Sequence, residues 1–320
     1  MRRPAFILIA GLSMVIMPAL AETTGPDGGR VTTPAPEAVD PDRFSERPAD
    51  VAYGAFQRGL YKTALNLATP LALEGNPAAQ TLVAEIYSRG LGVRQDVVTA
   101  MEWYEKAAEQ KVPEAVFQLA MILLDGGAEI GDPDRAYTLL KEAADAGNRL
   151  AQFNFAQMTN SRDQSPEGMK TAAAYYEKAA EAGLADAQYA MAQIYEQGFG
   201  GKPVDMNEAR RWLELAAAQN FDTAQIQLGT WLVEGIGGER DREAGFAWLL
   251  RAARAGNPAA QNRIAKLYRA GIGVEPDRVT AAAWYLRARR AGLVDMVMED
   301  QLNGLTEDEM QLASRRAAVL

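Results

Sequence analysis

A glycine-rich stretch is the first place in this sequence where chemistry could sit. IYSRGLGVRQD runs from Ile86 to Asp96, and successive backbone amides in a Gly-x-Gly turn can cradle a phosphate. A phosphate loop of that kind follows a strand and ends in Lys-Ser or Lys-Thr, and this stretch has neither context. It also recurs. LYRAGIGVEPD covers Leu267 to Asp277, and IYEQGFGGKPVD, one residue longer, covers Ile194 to Asp205. A loop that returns at even spacing reads as architecture: a turn between two helices, whose Asp caps the second.

The other reactive groups are equally sparse. The 320 residues hold no His and no Cys. Imidazole zinc sites, Ser-His triads, thiol nucleophiles, thiolate metal sites and disulfides are excluded with them. Ser and Lys occur without a Ser-x-x-Lys or Gly-x-Ser-x-Gly frame. Glu102, Glu105 and Glu109 fall on one outward helix face and read as solvated charge. No catalytic, cofactor-binding or metal residue emerges, so no cofactor is expected and the chain is read as a non-enzyme. An enzyme reading is left with Glu85 and Glu196 as its carboxylates, three repeat units apart, where a working pair needs about 10 Å or less.

Charge and targeting narrow the setting. Formal net charge is −9, and loss of residues 1–21, which carry Arg2 and Arg3 and no acid, takes it to −11. An acidic balance is a poor match for nucleic acid or for an anionic lipid surface. Residues 1–21 read as a signal peptide. Arg2 and Arg3 lead an apolar core from Phe6 to Met17, Pro18 breaks it, and Ala19-Leu20-Ala21 is a small-x-small site with cleavage after Ala21. The apolar run is shorter than the ~20 residues of a membrane span, and no later segment supplies one. The expected location is the periplasm or the exterior, and a chain without Cys suits an oxidising compartment. Residues 22–50, rich in Pro, Gly, Asp and Thr, read as a disordered tether.

From Val51 onward the composition turns to helix formers, and a repeat takes over. Its marker is Ala79-Gln80, Ala115-Val116, Ala151-Gln152, Ala187-Gln188, Ala224-Gln225 and Ala260-Gln261, with successive Ala positions 36, 36, 36, 37 and 36 apart. That period predicts stacked helical hairpins. Apolar residues at 4, 7 and 8 from the marker share one face of the first helix. Gly90, Gly126, Gly198, Gly235 and Gly271 end it in a left-handed cap. Asp96, Asp132, Asp205, Asp241 and Asp277 open the second helix, which carries large pairs such as Trp103-Tyr104 and Trp284-Tyr285 and then Ala pairs. The third unit departs: TNSRDQSPEGM, from Thr159, replaces the Gly-x-Gly turn and the Asp cap, and a looser hairpin is expected there.

These residues resemble the Sel1-like repeat, a relative of the tetratricopeptide repeat. The resemblance covers roughly residues 51–292 and is carried by motifs such as LYRAGIGVEPDRVTAAAWYLRARRAG. It implies an all-α, right-handed superhelix of six or seven hairpins. The expected units lie near 75–110, 111–146, 147–182, 183–219, 220–255 and 256–292. A helical half over 51–75 leads in, and capping helices over 293–320 follow, with a capping box from Thr306 to Glu309.

Positions 2, 6 and 9 of each first helix point away from its buried stripe, and the resemblance assigns that face to the concave groove. At the ends it reads polar: Thr81, Glu85 and Ser88, then Asn262, Lys266 and Arg269. In the middle it carries Phe117, Met121, Leu124, Phe153, Tyr189, Gln193, Ile226 and Val233, with Gln157 and Asn160 in the third unit. Clustered apolar groups on a solvent face mark an interaction site. The expectation is a partner-binding groove for a peptide segment or an amphipathic helix, unless position 2 packs under the neighbouring hairpin. The resemblance further implies an exported scaffold, monomeric, that binds a protein partner in the bacterial envelope. Its favoured role is regulator of a membrane sensor kinase; the alternative is a cell-wall or envelope-assembly adaptor that binds peptidoglycan or recruits an enzyme.

Overall fold

A computed structural model describes residues 48–320; the expected signal peptide and the tether up to residue 47 lie outside them. The described residues fold as an all-α solenoid of antiparallel hairpins. The leading hairpin is α1 (Pro48–Gln57) and α2 (Tyr61–Leu73). Where the sequence suggests a single helical half, there are two helices, and α1 begins inside the stretch read as tether. Gly59, at φ 75°, makes the turn between them, because only Gly takes that conformation without a Cβ penalty.

Six hairpins follow. They are α3 (Pro77–Arg89) with α4 (Val97–Glu109), α5 (Pro113–Asp125) with α7 (Pro133–Asp145), α8 (Arg149–Arg162) with α9 (Pro166–Glu181), α10 (Ala185–Gln197) with α11 (Met206–Ala218), α12 (Asp222–Glu234) with α13 (Arg242–Arg254), and α14 (Pro258–Ala270) with α15 (Arg278–Arg290). A single turn, α6 (Gly127–Ile130), interrupts the second of them. The stack is closed by α16 (Met296–Asn303) and α17 (Glu307–Val319), and α17 packs on α15. The expected capping box forms: Thr306 Oγ1 accepts from the Glu309 amide, and the Glu309 carboxylate accepts from the Thr306 amide.

The marker pair now has a physical meaning. Each marker Ala is buried, where a larger side chain would force the hairpins apart. The Gln beside it is buried too, and its amide donates to the carbonyl of the residue eight positions back, at the end of the preceding second helix. Gln80 bonds Ala72 at 3.1 Å, Gln152 bonds Ala144 at 3.2 Å, Gln188 bonds Ala180 at 3.2 Å, Gln225 bonds Ala217 at 3.1 Å and Gln261 bonds Ala253 at 3.2 Å. One polar stitch per unit thus fixes each hairpin's register on the one before it. In the second unit Val116 takes that place and is buried without such a bond.

Two caps differ from expectation. Gly126 sits at φ −69° rather than in the left-handed region, and the chain runs on through α6 before Asp132 caps α7. A Cβ on Gly126 would lie 2.4 Å from Ile130 Cγ1, so this glycine answers to room, not to backbone freedom. In the third unit the first helix extends to Arg162, and Ser165 takes over the role of the Asp, accepting from the Gly168 amide at 3.1 Å. That hairpin is closed by a different cap rather than left open.

Candidate functional site

The Gly-x-Gly turns are packed against protein. A Cβ on the second glycine would lie 2.2 Å from the Met206 carbonyl oxygen at Gly237, 2.2 Å from that of Arg242 at Gly273, and 2.7 Å from that of Met169 at Gly200. In each case the neighbour opens the second helix of the preceding unit. The glycine is there because a backbone passes close by, and a carbonyl oxygen at that place repels a phosphate. Among the described residues no group of three or more acids could hold a metal ion.

Side-chain contacts link the first helices of the later units: Gln227 Nε2 donates to Glu196 at 3.0 Å, Arg263 donates to Thr230 Oγ1 at 3.1 Å and pairs with Glu234 at 3.6 Å, and Asn262 and Lys266 both reach Asp295 at the start of α16. Lys266 and Asn262 hold the Asp295 carboxyl down at about 2.

The residues expected on the groove floor divide into two groups. Phe117 and Tyr189 are only 5% and 7% exposed and lie in the seams between hairpins, not on the open face. The Tyr189 ring stacks obliquely on Phe221 of the next hairpin's entry, centroids 5.2 Å apart, and burial pushes its hydroxyl pKa up. At Tyr189 the side chain at position 2 leans toward the neighbouring hairpin and is covered by it, which the period of one helix cannot reveal, and Phe117 is buried in the cluster that joins the first three repeat hairpins. Phe153 is half-buried, edge-on to Tyr176 at 5.6 Å. Met121, Leu124, Ile226 and Val233 are half-buried at the margins of the packed clusters. Gln193 is half-buried beside the Tyr189 hydroxyl. Beside these apolar edges lie half-buried amides, Gln157 and Asn160 of α8, which make no hydrogen bond among the described residues.

The carboxylates of an enzyme reading are separately engaged. Glu85 accepts from the buried Tyr104 hydroxyl at 2.9 Å and pairs with Arg89 at 2.8 Å, and burial together with Glu85 pushes the Tyr104 hydroxyl up. Glu196 is taken by Gln227. A cleft of about 370 Å³ near α4, α5 and α7 is lined by Glu105, Glu109, Lys111, Arg135 and Glu142, and Arg135 closes on Glu105 at 2.8 Å inside it.

Comparison with known proteins gives the same architecture. The chain is similar to c5321, a protective antigen present in uropathogenic Escherichia coli strains that displays an SLR fold, at 26% identity and a TM-score of 0.70, covering 84% of this chain and 59% of that one. It is similar to a Sel1 repeat protein from Oxalobacter formigenes, at 26% identity and a TM-score of 0.64, covering 76% of this chain and 97% of the other. Chitin synthase regulatory factor 3 of Schizosaccharomyces pombe is 29% identical over 189 residues, 57% of this chain and 20% of that protein. NMB1327 of Neisseria meningitidis is 33% identical over 138 residues, 43% of this chain and 28% of that protein. The chain therefore spans less than a third of the length of either of these two relatives. The model of the Sel1 repeat matches at residues 77–112, 113–148, 151–184, 185–221, 222–257 and 258–293. Repeats of this kind are in general protein-interaction scaffolds. With six consecutive matches on six consecutive hairpins, this chain belongs to the Sel1 repeat family.

Proposed function

We propose that this protein is an exported, non-catalytic scaffold of the bacterial envelope that holds a segment of a partner protein on its first-helix face, and so regulates a membrane sensor kinase. The observation that carries the binding reading is the face itself. The half-buried edges of Met121, Leu124, Phe153, Ile226 and Val233 lie on the same face as the unpartnered amides of Gln157 and Asn160. Apolar edges supply contact area and the amides supply donors and acceptors, which is the mixture a polypeptide needs. Export rests on the signal-like residues 1–21, and the sensor-kinase role on the likeness to periplasmic Sel1-like regulators. A second reading, regulation of an enzyme that builds the envelope, is favoured by one relative whose name is that of a chitin synthase regulatory factor.

The buried rings are unsuitable probes, because Phe117→Asp would place a charge in a packed seam. The test uses Gln157→Arg with Val233→Glu, both on the open face. The tagged protein and this variant are crosslinked in cells, and the captured partners are identified by mass spectrometry. A sensor kinase or an envelope enzyme that is captured by the parent and lost by an equally stable variant supports the reading and decides between its two forms. Identical partners from both proteins refute the first-helix face as the site. A purified chain that retains residues 1–21 refutes processing after Ala21.

A further inference from the structure

Charge on the outward side of the second helices changes sign along the solenoid. The last residue of each is Glu109 on α4, Asp145 on α7, Glu181 on α9, Ala218 on α11, Arg254 on α13 and Arg290 on α15, and all six are exposed. The negative end of the helix dipole favours a cation there. That accounts for the two arginines and runs against Glu109 and Glu181, while Asp145 is engaged by Lys141 of its own helix at 2.6 Å and by the Tyr175 hydroxyl. Glu109, Glu181, Arg254 and Arg290 make no ion pair or hydrogen bond among the described residues. At the change of sign, one turn before Ala218, Leu215 stands 42% exposed on the same side.

We propose that this face binds a second copy of the same chain, antiparallel, about a two-fold axis that passes Leu215 and Ala218. Such an axis reverses the order of the repeats and keeps each position along its helix. It sets Leu215 against its own copy, Arg254 against the second copy's Glu181, and Arg290 against the second copy's Asp145, each pair occurring twice in a closed, isologous contact. One turn earlier it sets Arg287 against Glu142. It also brings like charges together, Lys178 toward Arg251 and, on the axis, Arg211 and Glu214 toward their own copies, but each is engaged within its own chain, Arg211 by Glu208 and Glu214 by Arg210. The Lys178 ammonium lies 4.3 Å from the centre of the Tyr175 ring, and Arg251 donates to Asn220 at 2.5 Å. A parallel arrangement would oppose each charge with its like. Two chains of net charge −9 repel at long range, so the local sign pattern fixes the register of the contact. In such a dimer, proposed in place of the expected monomer, both first-helix faces stay open.

Sedimentation equilibrium of the purified protein across the micromolar range tests this. R254E and E181R each oppose like charges twice per dimer and are expected to weaken dimerisation by about tenfold or more. The exchanged variant E181R/R254E is expected to return to within about threefold of the parent, since the sign pattern is restored. Each altered side chain is exposed and unpartnered, so matching thermal melts certify that all variants are folded. A parent that is monomeric throughout the range overturns the proposal. So does a dimer insensitive to both single changes, or an exchanged variant as weak as the two single losses combined.

Discussion

Ala182→Gln is expected to stabilise this protein by giving one buried acceptor the donor it lacks. Two of the five marker glutamines have a side-chain donor for their carbonyl oxygen. Gln80 Oε1 receives one from Gln110 at 2.8 Å, and Gln188 Oε1 receives one from Gln219 at 2.7 Å. Gln110 and Gln219 are the residues that follow α4 and α11. The residue that follows α9 is Ala182, and Gln152 Oε1 is buried without a partner. The backbone is already suitable, with Ala182 at φ −73°, ψ 4° and Gln219 at φ −87°, ψ 13°. An unsatisfied buried acceptor costs about 1–3 kcal/mol, and ordering a glutamine side chain returns part of that. The net gain is about 1 kcal/mol, or a rise of roughly 2–4 °C in Tm for a chain of this size. Urea unfolding of four proteins, the parent, Ala182→Gln, Gln152→Ala and the double variant, forms the cycle that isolates the pair. The gain must vanish in the Gln152→Ala background. An equal gain in both backgrounds, or none in the parent, refutes the stitch as the reason for the marker.

Three further outcomes follow from local geometry. Gly229→Ala is expected to destabilise by about 1–3 kcal/mol, because its Cβ would lie 2.8 Å from the Gly245 carbonyl oxygen where α12 and α13 cross; an unchanged urea midpoint would contradict that close approach. Lys111→Gly is expected to stabilise by up to about 1 kcal/mol, since Lys111 holds φ 60° where most of the other hairpins close with glycine and one with Asn220, and a lower Tm would contradict it. Lys266 and Asn262 depress the Asp295 carboxyl to about 2, and Arg278 and the Thr306 amide do the same for Glu309. Both folded values lie below the unfolded ones. Their stabilisation is therefore full above about pH 4.5 and is lost as pH falls toward about 2. The protection factors of the amides in α16 and α17, corrected for intrinsic exchange at each pH, should fall over that window in the parent and fall less in Asp295→Asn; a flat parent profile would refute the pairing.

Much of this fold is legible in the sequence because it is local. A marker every 36 or 37 residues, an Asp before each apolar run and a Gly after it are choices a helix makes about its own ends. The five Asp caps are all formed, each accepting from amides two or three residues on. The misreadings occur where a second element decides. Gly126 matches the other cap glycines by position, yet its room is set by Ile130. Phe117 and Tyr189 match an open face by helical phase, yet both are buried among the stacked hairpins.

The helical hairpins, their number within the repeat array and the absence of imidazole and thiol chemistry can be read from the chain alone, since composition, phase and spacing are its own properties. What the marker glutamine bonds to, why Gly200, Gly237 and Gly273 have no room for a side chain, and which groove residues keep an open edge come from the packing of one hairpin on another. Those depend on contacts between different helices, eight positions apart for the marker bond and about thirty for the glycines, and such contacts exist only once the hairpins are stacked.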